Sequence, residues 1–355
     1  MALLPLSKET NVLQTHVTAP EHILQVAYAF WQSKALFAAV EFDVFTALAE
    51  GPLEFETLIS RTGLHRRGGP DFFDSLVALR LLDRAADGRY CNTPESDLYL
   101  VRDKPTYIGG LLRHLNARHY KNWDFLARAL TTGEPQSVLG TGSYLGLYAD
   151  ECSQELFLEG MTAGSLLAAR TLARNFPWSR YRTMVDIGTA QGCVPVEIAS
   201  IHPHLTGGGF DLPQVETAFT SYVRERGLGS RLQFFPGDFF VDPLPQADVL
   251  VMGRILHNWD LSTRQNLLRN AFHALPEGGA VIVYDPMIGH ERCAEPHGLL
   301  SSLNMLVETT GGSEYTAAEC KDWIQQVGFR QIRSESLGDM HTAVIGFKPE
   351  PNKSI

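Results

Sequence analysis

Cysteine is scarce: five in 355 residues, at 91, 152, 193, 293 and 320, with no CxxC pair. An odd, scattered set suggests neither a disulfide framework nor a zinc site, and points to a reduced, cytoplasmic protein. Long apolar runs are also missing. No window approaches about 18 uninterrupted apolar residues, so no spanning helix is expected. The amino terminus lacks a basic stretch leading into an apolar core, which argues against a secretory signal peptide. Basic residues are outnumbered: 30 Lys and Arg face 40 Asp and Glu, a net charge of −10, which disfavours a protein that coats nucleic acid. Internal repeats and low-complexity tracts are absent.

What is present is an ordinary globular composition, 44% hydrophobic, on a chain long enough for two domains. Residues 1–20 are polar, with Pro5 and Pro20, and read as a loose arm. From Glu21 to Glu50 the pattern is helical, with a break expected near Ser33 or Lys34. Further helices follow around Phe55–Gly63 and Pro70–Leu82, then two short strands around an Asp87-Gly88 turn. Three short helices and a hairpin make a winged helix over 21–105. Residues 1–100 hold eight basic and thirteen acidic side chains, a balance of −5, which is poor for meeting DNA phosphates. A dimerisation platform suits the apolar surplus around Phe30, Trp31, Phe42 and Phe45 better.

Residues 106–180 read as linking helices. Leu111, Leu115, His119 and Trp123 recur every four residues on an expected helix from Tyr107 to Leu130. His119 is either a satisfied core histidine or a polar group lining a pocket. Arg113, Arg118 and Lys121 read as solvated. Residues 136–150 are loop-like, with Tyr144 and Tyr148, and Glu155–Asn175 is a further helix carrying Phe157 and Met161.

From residue 181 to 350 the pattern alternates. Strands are expected at 183–187, 205–211, 231–235, 247–252, 279–285 and 341–348, with helices at 192–201, 213–227 and 260–275, the mark of a doubly wound, mostly parallel α/β sheet. The first strand runs through Asp186 into a turn with Gly188 and Gly192, and the second ends at Asp211. That pairing suits a nucleotide's backbone contacts and ribose, although a ligand-free α/β turn looks the same. Later strands lead into Gly237-Asp238-Phe239-Phe240, into Arg254-Ile-Leu-His257-Asn258-Trp259-Asp260, and into Asp285. All follow the carboxyl ends of strands, where open α/β sheets bind ligands.

Five motifs now stand in order: Asp-Ile-Gly-x-Ala-x-Gly (186–192), Phe-Asp-Leu-Pro-Gln-Val (210–215), Gly-Asp-Phe-Phe (237–240), Leu-His-Asn-Trp-Asp (256–260) and Gly-Gly-Ser-Glu-Tyr-Thr (311–316). Together they resemble the S-adenosylmethionine-dependent small-molecule O-methyltransferases, the group of plant caffeate-type, animal hydroxyindole and bacterial antibiotic-pathway enzymes. The resemblance covers residues 20–348. It implies a class I methyltransferase Rossmann-like domain behind a winged-helix dimerisation domain, a homodimer, and no metal.

The resemblance also implies roles. Gly188 would cradle the methionine part of S-adenosylmethionine, Asp211 would hold the ribose, and Leu212, Asp238, Phe239 and Trp259 would surround the adenine. His257 would be the base, flanked and oriented by Asp285 and Glu314. Phe157, Met161, Asn304 and Met305, with His119, would line the acceptor pocket. Glu308 is either a substrate contact or a surface acid. Ala190 replaces a glycine of the family turn, Asn258 a frequent aspartate, and Asp285 the longer glutamate of the plant enzymes. The chemistry suits these residue types. A phenol, with a pKa near ~10, is a poor nucleophile at neutral pH, and a histidine can take its proton as the methyl moves. Methylation at carbon or nitrogen, or a ligand-sensing winged-helix regulator, are the alternatives.

Overall fold

The computed structural model describes residues 19–137, 151–293, 296–338 and 340–350. Most of the expected arm and the aromatic loop with Tyr144 and Tyr148 lie outside the described residues. The first helix, Glu21–Glu41, runs unbroken past Ser33; the chain turns instead at Phe42-Asp43, where Asp43 takes a left-handed φ of 51°. Val44–Ala47, Phe55–Thr62 and Gly69–Ala78 follow, then the antiparallel pair β1 (Leu82–Arg84) and β2 (Tyr90–Asn92). Their core joins Val40, Phe45, Leu58, Phe73, Leu76, Leu82 and Tyr90. Phe45 is thus interior rather than surplus surface. The apolar excess is on the first helix, where Ile23, Val26, Phe30 and Trp31 are exposed.

The stretch from Gly109 to Thr132 is helical but not one α-helix. An α-helical start, Gly109–His114, gives way to a π-turn over Leu115–His119, and a 3-10 turn follows at Trp123–Phe125. A strict four-residue spacing overshoots the 3.6-residue turn, and the wider π-turn absorbs the difference. The long helix Glu151–Asn175 crosses it closely: a Cβ on Gly160 would stand 2.7 Å from the Cβ of His114.

The second half is a seven-stranded sheet in the order β5-β4-β3-β6-β7-β9-β8. β3 (Thr183–Ile187), β4 (Thr206–Asp211), β5 (Leu232–Pro236), β6 (Val249–Gly253) and β7 (Ala280–Asp285) are parallel. β9 (Thr342–Phe347) runs antiparallel between β7 and β8 (Arg330–Ser336). The sheet is buried on both faces, with Leu172, Trp178, Val249 and Ile282 on one side and Leu250, Leu268, Val281 and Phe329 on the other. β8 is the strand that the sequence pattern does not announce. It is an edge strand of sequence Arg-Gln-Ile-Arg-Ser-Glu-Ser, with too few apolar residues to display a two-residue period. Strand order reverses between β3 and β6, which opens a crevice at their carboxyl ends.

Candidate active site

The turn after β3 is built from backbone groups. Gly188 has a φ of 71°, and a Cβ there would lie 2.2 Å from Ile255 Cδ1, so the position is open only to glycine. Its N–H donates to Phe210 O at 2.8 Å, tying the turn to β4. Ala190, in the left-handed region at φ 51°, donates its N–H to Asp211 Oδ2 at 2.9 Å. Leu212 N–H donates to Asp211 Oδ1 at 2.8 Å. Two backbone donors therefore aim this carboxylate. Burial pushes Asp211 up to about 6, against the pull of those two N–H groups. Buried Asp186, one strand over, rises further, to about 8, chiefly through burial.

Beyond β5, Gly237 N–H donates to Asp211 O at 2.9 Å, which brings Asp238 to the same rim. Asp238 Oδ1 accepts from Phe240 N–H at 2.9 Å. Phe239 meets Trp259 edge-on at 6.0 Å between ring centres, and Phe240 meets the same indole more closely, at 4.7 Å. Gly188, Asp211, Leu212, Asp238, Phe239 and Trp259 thus follow successive parallel strands around the crevice.

His257 occupies the short 3-10 turn Leu256–Asn258 just past β6 and is 4% exposed. Its Nδ1 stands 2.6 Å from Glu314 Oε1, which also accepts from Ser301 Oγ at 2.7 Å. Asp285, at the end of β7, places Oδ1 3.7 Å from the same nitrogen. That is within reach of charge but too long for a hydrogen bond. The other Asp285 oxygen accepts from the Tyr315 hydroxyl. A carboxylate on Nδ1 makes that nitrogen the N–H donor and leaves Nε2 with the lone pair. Burial alone would lower the imidazole's pKa; the charges of Glu314 and Asp285 outweigh it, and the net direction is up. Burial likewise raises Asp285, to about 7, opposed by the His257 charge.

The facing wall is made by the helices between the two halves. His114 and His119 meet edge-on at 5.0 Å between ring centres, and Phe157 lies 5.7 Å from His114. Both imidazoles are held near a pKa of about 3, first by burial and then by neighbouring positive charge. Met161 is half-buried one turn beyond Phe157. Asn304 and Met305 are buried, and Asn304 Oδ1 accepts from Trp123 Nε1 at 2.8 Å. Glu308 is neither surface acid nor free ligand. It is buried and accepts from Arg118 Nη2 and Asn122 Nδ2, each at 2.7 Å. Arg118 and Arg113 are therefore not simply solvated, since Arg113 also pairs with Glu159, at 2.6 Å.

Residues 123–330 match the sequence model of the O-methyltransferase domain, and residues 24–102 that of the O-methyltransferase dimerisation domain. The chain belongs to the O-methyltransferase family. Relatives of this O-methyltransferase include TcmO, the tetracenomycin polyketide synthesis 8-O-methyl transferase of Streptomyces glaucescens, 42% identical over 94% of this chain and 98% of the relative. The N,N-dimethyltransferase OxyT of Streptomyces rimosus is 36% identical over 91% of this chain and 94% of its own. Human N-acetylserotonin methyltransferase, solved in complex with S-adenosylmethionine, superposes with a TM-score of 0.86 at 28% identity, covering 95% of this chain and 99% of that one.

The family's cofactor is S-adenosylmethionine, and the residues present fit it. Gly188 turns the chain sharply at the end of β3 with a φ of 71°, and the Asp211 carboxylate is already oriented by two N–H groups. Sequence reasoning assigned no role to His114, Ser301, Tyr315 or Phe240. The first is legible only through the π-turn, whose five-residue step stacks 114 over 119; an α-helical reading puts them on different faces.

Proposed function

We propose that this O-methyltransferase moves a methyl group from S-adenosylmethionine to the hydroxyl of an aromatic or polyketide-type acceptor, with His257 as general base. The observation that carries the reading is the 2.6 Å contact between His257 Nδ1 and Glu314 Oε1. When bound, S-adenosylmethionine supplies a methyl already activated on a sulfonium. The chain's work is then to align the acceptor and take its proton. Glu314 fixes the tautomer, so Nε2 faces the acceptor as the base. As the phenol proton arrives on Nε2, the imidazolium is balanced by Glu314 and by the nearby Asp285 charge. Gly188, Asp211, Leu212, Asp238, Phe239 and Trp259 are proposed as the cofactor's contacts. His119, Phe157, Met161, Asn304 and Met305 are proposed for the acceptor.

The same proposal makes the enzyme a cytoplasmic homodimer, joined through residues 21–105, acting without a metal. The exposed Ile23, Val26, Phe30 and Trp31 support the dimer. An imidazole that ionises the phenol leaves no step that calls for a Lewis acid, which supports metal independence. OxyT keeps nitrogen methylation as the second reading, since a base beside the cofactor would also serve an amine. A screen of phenols, hydroxylated aromatic acids and polyketides with labelled S-adenosylmethionine tests the assignment, repeated with chelator. Methyl ethers formed equally with and without chelator are expected. N-methyl products only, or loss of turnover in chelator, would overturn the corresponding part.

A further inference from the structure

Arg254 opens the stretch that carries His257 and Trp259. It follows β6 with a φ of 57°, a left-handed conformation unusual for a long side chain. Its main chain is fully engaged: the N–H donates to Tyr284 O at 2.8 Å, and the carbonyl accepts from Asn258 Nδ2 at 3.0 Å. Its guanidinium is not. Nε and Nη1 are shut from solvent and have no hydrogen-bond partner among the described residues. The helix Glu151–Asn175 makes room for this group, because a Cβ on Gly164 would lie 2.4 Å from Nη1.

The neighbours do not neutralise it. Glu308 serves Arg118 and Asn122, Glu159 serves Arg113, and Glu314 serves His257 and Ser301. The imidazoles that feel the Arg254 charge are His114, His119, His297 and His341, together with His257. Burial first, then that charge among others, keeps His114, His119 and His341 at about 3, so they stand as neutral rings. The turn that carries the base thus also carries a guanidinium with no counter-ion among the described residues, set among rings that stay neutral. A half-buried guanidinium whose Nε and Nη1 are shut from solvent and unpartnered is a receptor for a carboxylate or a similarly acidic oxygen.

We propose that Arg254 binds an anionic group of the methyl acceptor, so that the acceptor class is the hydroxylated aromatic acid rather than the neutral phenol. The inference rests on the methyltransferase reading of His257. Arg254 stands three residues before that histidine, so one turn of chain sets both the anion's position and the base's. The cofactor's own carboxylate offers the same chemistry. The acceptor is the source favoured here, because the guanidinium lies against Gly164, one turn from Met161, and its charge reaches His114 and His119.

The test uses the full-length protein saturated with S-adenosylhomocysteine, with 3-hydroxy-1-naphthoate, its methyl ester, and the matching hydroxybenzoate and hydroxyanthracene-carboxylate pairs as probes in calorimetry. At least one acid should bind about tenfold or more tighter than its ester, the size of a charge-assisted contact. Arg254→Gln should erase that preference by weakening the acid alone, and Arg254→Lys should restore part of it. S-adenosylhomocysteine affinity should hold in both variants, which also reports that they are folded. His257→Ala should keep the preference while losing turnover, so failure of the base and failure of the anion receptor are read separately. The proposal falls if no acid is preferred by the wild type, or if Arg254→Gln weakens acid and ester alike. It also falls if the variant loses S-adenosylhomocysteine affinity with the acid-to-ester ratio unchanged, which would give the guanidinium to the cofactor's carboxylate.

Discussion

The two walls of the crevice bury histidines to opposite effect. On the sheet side, His257 lies among Glu314, Ser301 and Asp285, and its pKa is raised. On the helical side, His114 and His119 meet edge-on with Arg118 and Arg254 in range, and both fall to about 3. Burial acts downward on all three. What differs is the sign of the nearest charge: a carboxylate 2.6 Å from Nδ1 overcomes desolvation, whereas cations add to it. One wall therefore favours the protonated ring, and the rings of the other stay neutral.

The largest break in this comparison is removal of the proposed base. His257→Ala should cut turnover by roughly 10²–10⁴-fold, the usual share of general base catalysis. Part of the rate should return at high pH, where the phenol ionises unaided, and S-adenosylhomocysteine affinity in calorimetry should hold. A variant with near wild-type turnover would sink the assignment.

Next in size is Asp211, a half-buried carboxylate aimed by two backbone N–H donors rather than by a side-chain partner. Asp211→Ala should weaken cofactor binding by about 10–100-fold, the loss of one charge-assisted hydrogen bond or a little more. Unchanged affinity would remove Asp211 from the cofactor contacts.

Exchanging the partner on the sheet-side wall should shift a profile more than it stops a reaction. The proposed base, His257, can take a proton only when neutral, and its pKa is raised, so kcat/KM should rise with pH through a limb above the ordinary 6.5. Glu314→Gln removes a charge that holds the imidazolium, so the limb should move to lower pH by about 1–3 units. A limb that stays put would mean that Glu314 does not set the histidine's charge.

The smallest effect is expected across the crevice. His119→Phe should leave the limb where it is, since a ring with a pKa of about 3 is already neutral over the assay range. An altered limb would show that the two walls titrate together.

Much of this architecture was legible because local rules agree with the tertiary result. Apolar runs at 183–187, 249–253 and 280–285 are largely buried central strands, and such strands show as near-continuous hydrophobic segments. The exposed apolar residues of the first helix could be read as surplus, but Phe45 could not be separated from them, because periodicity does not say which face meets its own domain. β8 was hidden for the converse reason: an edge strand carries charges and needs little apolar pattern.

By itself, the sequence determined the alternation of the central strands and helices, though not β8, together with the five motifs and the residue types proposed to hold a cofactor and remove a proton. Only the tertiary structure decided which acid takes the histidine. Glu314 lies 57 positions along the chain from His257 and bonds it at 2.6 Å, while Asp285, nearer in sequence and on the adjoining strand, stops at 3.7 Å. It also decided that Glu308 is consumed by Arg118 and Asn122, and that Arg254 has no counter-ion among the described residues. The physical reason is that pairing and desolvation act over a few ångströms in space, between groups that the chain brings from distant positions, and spacing along the sequence carries no record of that distance.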